Sequence, residues 1–385
     1  MPEIIRLTRC DNIRWEKLFV PQNDCITGMH VLINRVAAAR VFLQRFEVDC
    51  ILFSDLLDIR YLTGFSGSEG ALLLADSVLM LFTDSRYTTQ ASVETSGCVV
   101  VEARDKTAAI ASAVMEKRFG SVGVQSERIS HSFYNGINRL LSDVRLVPVD
   151  SETGALRGIK DSGEMEKLAN AAALASESLM EILPAIRPGI TEKNLASRLH
   201  MAMLDRGADD KSFDFIVASG ERGALPHGRA TGKSLCAGDL VTIDFGAVLD
   251  GYVSDETVTV AVGRADAKQR EIYAIVKGAH DLAVEAVKPM VPLKDLDSVA
   301  REYIADKGFG EYFRHGLGHG VGMEVHEKPV VSFRSEGLVQ EGMVFTIEPG
   351  IYLPGWGGVR IEDTVLVTPD GCISLTKVPK DLMIL

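Results

Sequence analysis

The sequence predicts an α+β protein in two unequal parts. A smaller α/β domain spans residues 29–150, and a larger domain with an internal pseudo-two-fold spans 161–385. Three observations carry this. A chain of 385 residues suits two domains, each with its own core. Residues 48–150 alternate short apolar strand signals with helical ones. Residues 161–385 run twice through one order of elements: two helices, a Gly/His-bearing strand and a carboxylate-bearing hairpin.

The elements follow in order. Residues 1–28 hold Arg6, Arg9, Arg14, Lys17, Trp15 and Pro21 without periodicity and read as a loosely held extension. They lack the apolar core and small-residue cleavage site of a secretory signal. From Met29, apolar residues at Leu32, Val36, Ala39, Leu43 and Phe46 recur at helical spacing. Cys50–Phe53, Ala71–Ala75 and 78–83 read as buried strands, with a glycine-rich loop over Gly64–Gly70. Helices are expected at 86–95, 106–118 and 131–141. His131 stands alone there, with a surface or capping role. A polar linker covers 151–160, signalled by Asp150-Ser-Glu-Thr-Gly154.

A long helix then runs from Glu164 to Ile182, and Pro184 and Pro188-Gly189 end it. Thr191 caps a second helix that stops at Arg206-Gly207. This run returns 101 residues later: Arg187-Pro188 as Lys288-Pro289, Leu195 as Leu296, Arg206-Gly207 as Lys307-Gly308. The hairpins repeat too. Thr242-Ile-Asp244-Phe-Gly246 matches Thr346-Ile-Glu348-Pro-Gly350, and Asp255-Glu-Thr-Val258 matches Glu362-Asp-Thr-Val365. A duplicated unit packs as a pseudo-two-fold pair, with the hairpins at the axis.

Composition narrows the function. The formal charge is -12, with no Lys/Arg-rich block, which disfavours nucleic acid and anionic membrane surfaces as partners. No apolar run is long enough to span a bilayer. The six cysteines are scattered without a C-x-x-C, so reduced packing cysteines in a cytoplasmic protein are expected.

The acids carry the chemistry. Asp244 and Asp255 fall near-opposite on adjacent antiparallel strands, as do Glu348 and Glu362 in the second half. A pseudo-two-fold brings all four together. Four buried carboxylates repel one another unless cations cancel them, and two divalent ions carry the required +4. Oxygen ligands with one imidazole suit Mn²⁺, and also Co²⁺ or Zn²⁺. His319, set among Gly316, Gly318, Gly320 and Gly322, is the natural imidazole. A single Asp in a hairpin is usually a solvated turn residue, and a lone His usually structural. The conjunction argues otherwise, because each acid sits in Ile/Val-rich strand sequence, where bare charge is costly, and has a counterpart in the other half. The alternating glycines do not fit a dinucleotide fingerprint.

These residues resemble the pita-bread metallopeptidases, which include methionine aminopeptidase, aminopeptidase P and prolidase. The matching segments are Asp244-Phe-Gly-Ala, Ser254-Asp255-x-Thr257, His315-x-x-Gly-His319-Gly, Val325-His326-Glu, Glu348-Pro-Gly-Ile-Tyr and Arg360-Ile-Glu362-Asp. Arg60-Tyr-Leu-Thr-Gly-Phe-Ser-Gly and Thr83-Asp-Ser-Arg-Tyr87 resemble the creatinase-type amino-terminal domain of the aminopeptidase P and prolidase branch.

The resemblance implies that Asp244 chelates one metal, Asp255 and Glu362 bridge both, and His319 and Glu348 complete the other. Glu348 doubles as proton shuttle. His326 holds the substrate at the scissile bond and stabilises the tetrahedral intermediate, His227 closes the other side, and His315 lines the prolyl side. Arg360 orients a bridging carboxylate or contacts the substrate tail, with a plain ion pair as the simpler reading. The implied reaction is hydrolysis of the bond before a proline at position two of a peptide. That bond is a tertiary amide with fixed φ, which general peptidases reject. The metals anchor the free α-amine. The resemblance also implies a homodimer.

Two departures tune this. Relatives often carry Arg where Val258 stands, and prolidases often carry Arg where Val330 stands, in the segment Lys328-Pro-Val330. That Arg meets the free carboxylate of a dipeptide. Without it a continuing chain is tolerated, so the expected activity is an Xaa-Pro aminopeptidase, with a prolidase as the alternative and Lys328 as a possible stand-in. A non-catalytic pita-bread binding protein would have lost ligands, and creatinase-type enzymes lack these acids. Neither fits a chain that keeps the full set.

Overall fold

A computed structural model describes residues 24–149 and 153–385. Most of the expected 1–28 extension, and residues 150–152 of the linker signal, lie outside the described residues. The helix expected from Met29 begins earlier, as α1 (Asp24–Arg45).

Six strands form the first sheet: β1 (Cys50–Phe53), β2 (Ala71–Ala75), β3 (Leu79–Thr83), β4 (Val99–Glu102), β5 (Ser121–Val124) and β6 (Arg145–Pro148). Their order is β4-β3-β2-β1-β5-β6. Side chains alternate between faces. Ile51, Phe53, Leu72 and Leu74 pack on one side under α1 and α2 (Leu56–Thr63), near α3 (Thr88–Glu94). Cys50, Leu52, Ala71 and Leu73 pack on the other, against α4 (Lys106–Glu116) and α5 (His131–Leu140). A sheet covered on both faces explains its unbroken apolar runs. The sequence reading missed β4, β5 and β6, each four residues long. It also missed α2, which is punctuated by an Asp55 N-cap (2.9 Å to Leu57 N) and a left-handed Gly64 (φ 84°). His131 stands exposed at the start of α5, 2.9 Å from Asn135.

The larger domain contains α6 (Ser162–Ile182), α7 (Glu192–Asp205), α8 (Ala267–Ala286) and α9 (Leu293–Asp306). Its first-half strands are β7 (Asp210–Lys211), β8 (Ile216–Ser219), β9 (Leu240–Phe245), β10 (Ala247–Leu249), β11 (Tyr252–Val253) and β12 (Glu256–Ala261). Its second-half strands are β13 (Gly318–Gly320), β14 (Glu327–Val331), β15 (Val344–Ile347), β16 (Gly350–Leu353), β17 (Gly357–Arg360), β18 (Asp363–Thr368) and β19 (Gly371–Ser374). A capping box starts α6: Asp161 accepts from Glu164 N (3.0 Å), and Glu164 accepts from Asp161 N (3.1 Å). The same device at Asp266 and Gln269 starts α8.

The duplication is explicit. The order β8-β9-β12 in one sheet recurs as β13-β15-β18 in the next, antiparallel throughout. Leu179, Leu199, Ile243 and Val258 pack α6 and α7 onto the first sheet. Val276, Ala300, Phe345 and Val365 pack α8 and α9 onto the second. With the helices on one face, Thr242 and Asp244 of β9 and their partners Thr259 and Thr257 of β12 turn to the other. The halves are stitched at the axis. Glu362 N donates to Thr257 O (3.1 Å), Thr364 Oγ1 to Asp255 O (2.7 Å), and Thr259 Oγ1 to Arg360 O (2.9 Å).

The two domains share one core cluster, joining α1 residues to Leu168 and Ala172 of α6. Arg35 of α1 reaches across to Asp161 (2.6 Å) and Glu164 (3.2 Å), and lies over the Tyr61 ring (4.2 Å). No helix among the described residues is long and apolar enough to cross a membrane.

Candidate metal centre and catalytic pocket

The site forms where the two hairpins meet. Asp244 lies in β9, whose Val241, Ile243 and Phe245 point into the helix layer, so Thr242 and Asp244 point to the opposite face. Its register partner is Thr257, which places Asp255 two residues along the neighbouring strand, on the same face. In the second half Ile347 pairs with Asp363, which sets Glu348 directly against Glu362. The expected near-opposition therefore holds in the second hairpin and becomes a diagonal in the first.

Asp255, His319 and Glu362 present ligand atoms within 4.8 Å of one another. His319 Nε2 is 3.3 Å from Glu348 Oε1 and 3.7 Å from Asp255 Oδ2. His319 Nδ1 donates to Gly320 O (3.2 Å), which leaves the Nε2 lone pair facing the acids. The glycines beside it admit backbone. A Cβ on Gly318 would sit 1.9 Å from Thr346 O, and one on Gly320 would sit 2.3 Å from Lys328 O.

Asp244 meets Arg360 instead. Arg360 Nη2 donates to Asp244 Oδ2 at 2.6 Å. Its other nitrogens reach Tyr352 Oη (2.9 Å), Pro226 O (3.1 Å) and Thr257 Oγ1 (3.2 Å). Thr257 Oγ1 in turn donates to Glu362 Oε2 (2.6 Å). Arg360 thus orients Asp244, the expected chelator, directly, and Glu362, the expected bridging ligand, only through Thr257. It also ties down the segment that carries His227, at the exposed lip of the cavity. Tyr352, which the sequence reading quoted but gave no role, connects Arg360 to His315: its Oη lies 3.1 Å from His315 Nε2. His315 Nδ1 donates to Gly316 O (2.8 Å), so Nε2 accepts from the tyrosine. Burial depresses the His315 pKa to about 4 and keeps the ring neutral. The His326 ring stands 4.1 Å from that of His319.

The electrostatics fit cations. Burial, then Glu362 and the other acids, pushes Asp255 well above the usual carboxylate range. Burial, then Glu348 and Asp244, does the same to Glu362. Burial and Asp244 raise Glu348 to about 8, against the opposing pull of Arg360. Asp244 Oδ1 is buried without a hydrogen-bond partner. Four carboxylates face one guanidinium, so the site is short of positive charge, and its oxygen-rich donors with one imidazole suit hard to borderline divalent ions.

A cavity of about 820 Å³ opens onto these residues. The amino-terminal domain, which showed no chemistry in the sequence, also contributes to its wall through Asp58, Gln125 and Arg128. Arg128 pairs with Glu324 (3.0 Å), two residues before His326. On β14 the exposed residues alternate with buried ones, so Lys328 and Val330 face the cavity. The other cavity cations are paired: Arg128 and Arg157 with Glu324, Arg229 with Asp214, Arg360 with Asp244. Among the described residues, Lys328 is the cavity cation without an ion-pair partner.

Residues 166–369 match the model of metallopeptidase family M24, and residues 35–159 match that of the creatinase/prolidase N-terminal domain. The chain is 38% identical over 357 residues to an Xaa-Pro dipeptidase of Pyrococcus horikoshii, covering 92% of this chain and all of that one. A solved Xaa-Pro dipeptidase from Bacillus anthracis superposes with a TM-score of 0.90 at 39% identity, covering 92% of this chain and 100% of its own. An X-Pro aminopeptidase structure from Thermotoga maritima superposes with a TM-score of 0.83 at 39% identity, covering 89% and 99%.

Proposed function

Because this chain belongs to metallopeptidase family M24 and carries the creatinase/prolidase N-terminal domain, we propose that it is a dinuclear metal-dependent Xaa-Pro dipeptidase. It would cleave the bond between an amino-terminal residue and a carboxy-terminal proline. The relatives named dipeptidases favour this over the aminopeptidase expected from Val330. The observation that carries it is Lys328, an unpaired cation on the cavity face of β14 beside His326. It stands two residues before Val330, and a free carboxylate is what an unpaired ammonium at a cavity wall would bind.

Asp244, Asp255, His319, Glu348 and Glu362 would hold two divalent ions, with Mn²⁺ the first candidate. When bound, the ions supply Lewis acidity at the scissile carbonyl and lower the pKa of the attacking water. Glu348 accepts that water's proton and delivers it to the proline nitrogen as the C–N bond breaks. His326 donates to the carbonyl oxygen as negative charge gathers there, and His227 closes the opposite lip. Neutral His315, held by Tyr352 and Gly316, lines the prolyl side. The expected assembly is a homodimer, and a monomer by light scattering would overturn that part.

The test offers Ala-Pro, Ala-Pro-Ala and Ala-Pro-amide to Mn²⁺-loaded protein. We expect Ala-Pro to be preferred, with free alanine released. Lys328→Met should raise KM for Ala-Pro by roughly 10- to 100-fold, the loss of one charge-assisted contact, and leave Ala-Pro-amide unaffected. The competing reading, favoured by apolar Val330, is an Xaa-Pro aminopeptidase. Preference for Ala-Pro-Ala would establish it.

A further inference from the structure

Each expected bridging ligand is followed by a second acid: Asp255 by Glu256, and Glu362 by Asp363. Neighbouring residues on a strand point to opposite faces. Asp255 and Glu362 face the cavity, so Glu256 and Asp363 face the helix layer, where both are buried. Their seats are related by the pseudo-two-fold. Glu256 accepts from Ser176 Oγ of α6 (2.5 Å), while Asp363 Oδ2 lies 3.2 Å from His280 Nε2 of α8. One ammonium joins them. Lys380 Nζ is 2.5 Å from Glu256 Oε1 and 3.3 Å from Asp363 Oδ1. Its own segment is anchored: Val378 N donates to Glu256 Oε1 (3.0 Å), Tyr273 Oη to Lys380 O (3.0 Å) and Ala261 N to Met383 O (2.9 Å).

We propose that Lys380 is a positioning residue for the metal centre. It clamps the strands of Asp255 and Glu362 together from the face opposite the cavity. This rests on the proposed ligand roles of Asp255 and Glu362. The halves are stitched by hydrogen bonds on the cavity side, and Lys380 supplies an ionic tie behind them. Without it the ionic tie between the two strands is gone, and the two buried carboxylates it joined, one residue away from the ligands, repel each other besides, so the strands have reason to part. Carboxylates that converge within a few ångströms are sensitive to such a shift.

The test measures Mn²⁺ affinity of the metal-stripped full chain by competition with a chelating dye, alongside Ala-Pro kinetics. Lys380→Met should weaken Mn²⁺ binding by roughly 10- to 100-fold, the range for groups that support metal ligands. It should lower kcat at saturating Ala-Pro with KM unchanged, because Lys380 does not line the cavity. Lys380→Arg should recover most of the affinity. The pair Glu256→Gln with Lys380→Met removes the repulsion and leaves Asp363 facing His280, so it should fold even where Lys380→Met alone does not. It still lacks the tie to Asp363, and should still bind Mn²⁺ weakly. Wild-type affinity in that folded double variant overturns the proposal. Asp255→Ala run in parallel separates the failures: if it keeps full Mn²⁺ affinity, the ligand assignment has failed rather than the role of Lys380.

Discussion

Asp255→Ala is expected to abolish turnover while leaving the fold intact. Asp255 sits at the centre of the acidic cluster, with ligand atoms of His319 and Glu362 within 4.8 Å of its own. Losing one preorganised charge-stabilising group typically lowers kcat by about 10²–10³. Losing a carboxylate shared by two ions should exceed that, so a fall of at least roughly 10³-fold in kcat/KM for Ala-Pro is expected. Stability should move the other way. In metal-free protein Asp255 is buried among Glu362, Asp244 and Glu348, whose charges push its pKa upward. Removing it takes away a carboxyl whose ionised form the folded protein disfavours, so the metal-free variant should melt no lower than metal-free wild type. Function and stability thus oppose each other at this residue. Near-normal activity in Asp255→Ala would sink the dinuclear mechanism. A collapse of the metal-free melting temperature would show that Asp255 is structural.

Much of this site was legible in the sequence because it is built from a duplication. Thr-Ile-acid-x-Gly and acid-acid-Thr-Val each occur twice, and strand alternation alone sends the acids to one face once the Ile/Val residues take the helix face. Pairing details were not legible. The diagonal between Asp244 and Asp255 depends on the length of the β10–β11 turn, which the acid spacing does not specify on its own. Arg360 was seen, but not that it serves Asp244, because its contacts to Asp244 and Pro226 join segments far apart in the chain. Lys380 carried no signal at all. A lysine between Pro379 and Asp381 reads as solvated, and only the fold seats it between Glu256 and Asp363. In the smaller domain β4 and β6 are the sheet's edge strands, with exposed ends and no fully buried apolar run, and so gave no strand signal. The start of α6 was recoverable, since Asp161-x-x-Glu164 is a capping-box pattern.

Metal-free protein should lose stability as pH rises from about 6.5 to about 8, and metal-loaded protein should not. The cause is the acidic cluster. Burial raises Glu348 from its ordinary 4.5 to about 8, and Asp255 and Glu362 move in the same direction. A carboxyl whose folded pKa lies above its unfolded one holds a proton in the native state that the unfolded chain has released. Its contribution is complete below the unfolded value and is lost as pH climbs through the folded value. Below about 6.5 the depressed histidines His315, His319 and His326 act in opposition, because the unfolded chain protonates them and the native state resists. Above the ordinary histidine value that opposition ends, and the carboxyls set the slope. Each proton retained by the native state contributes up to ~1.4 kcal/mol per pH unit. Divalent ions displace these protons, so Mn²⁺ loading near pH 7 should release protons and flatten the profile. Thermal melts of stripped and Mn²⁺-loaded protein across this range, with proton release followed by calorimetry in buffers of different ionisation enthalpy, test both parts. If stripped protein grows more stable between pH 6.5 and 8, the acids are not held protonated in the metal-free native state, and the charge argument for a two-ion site loses its electrostatic basis.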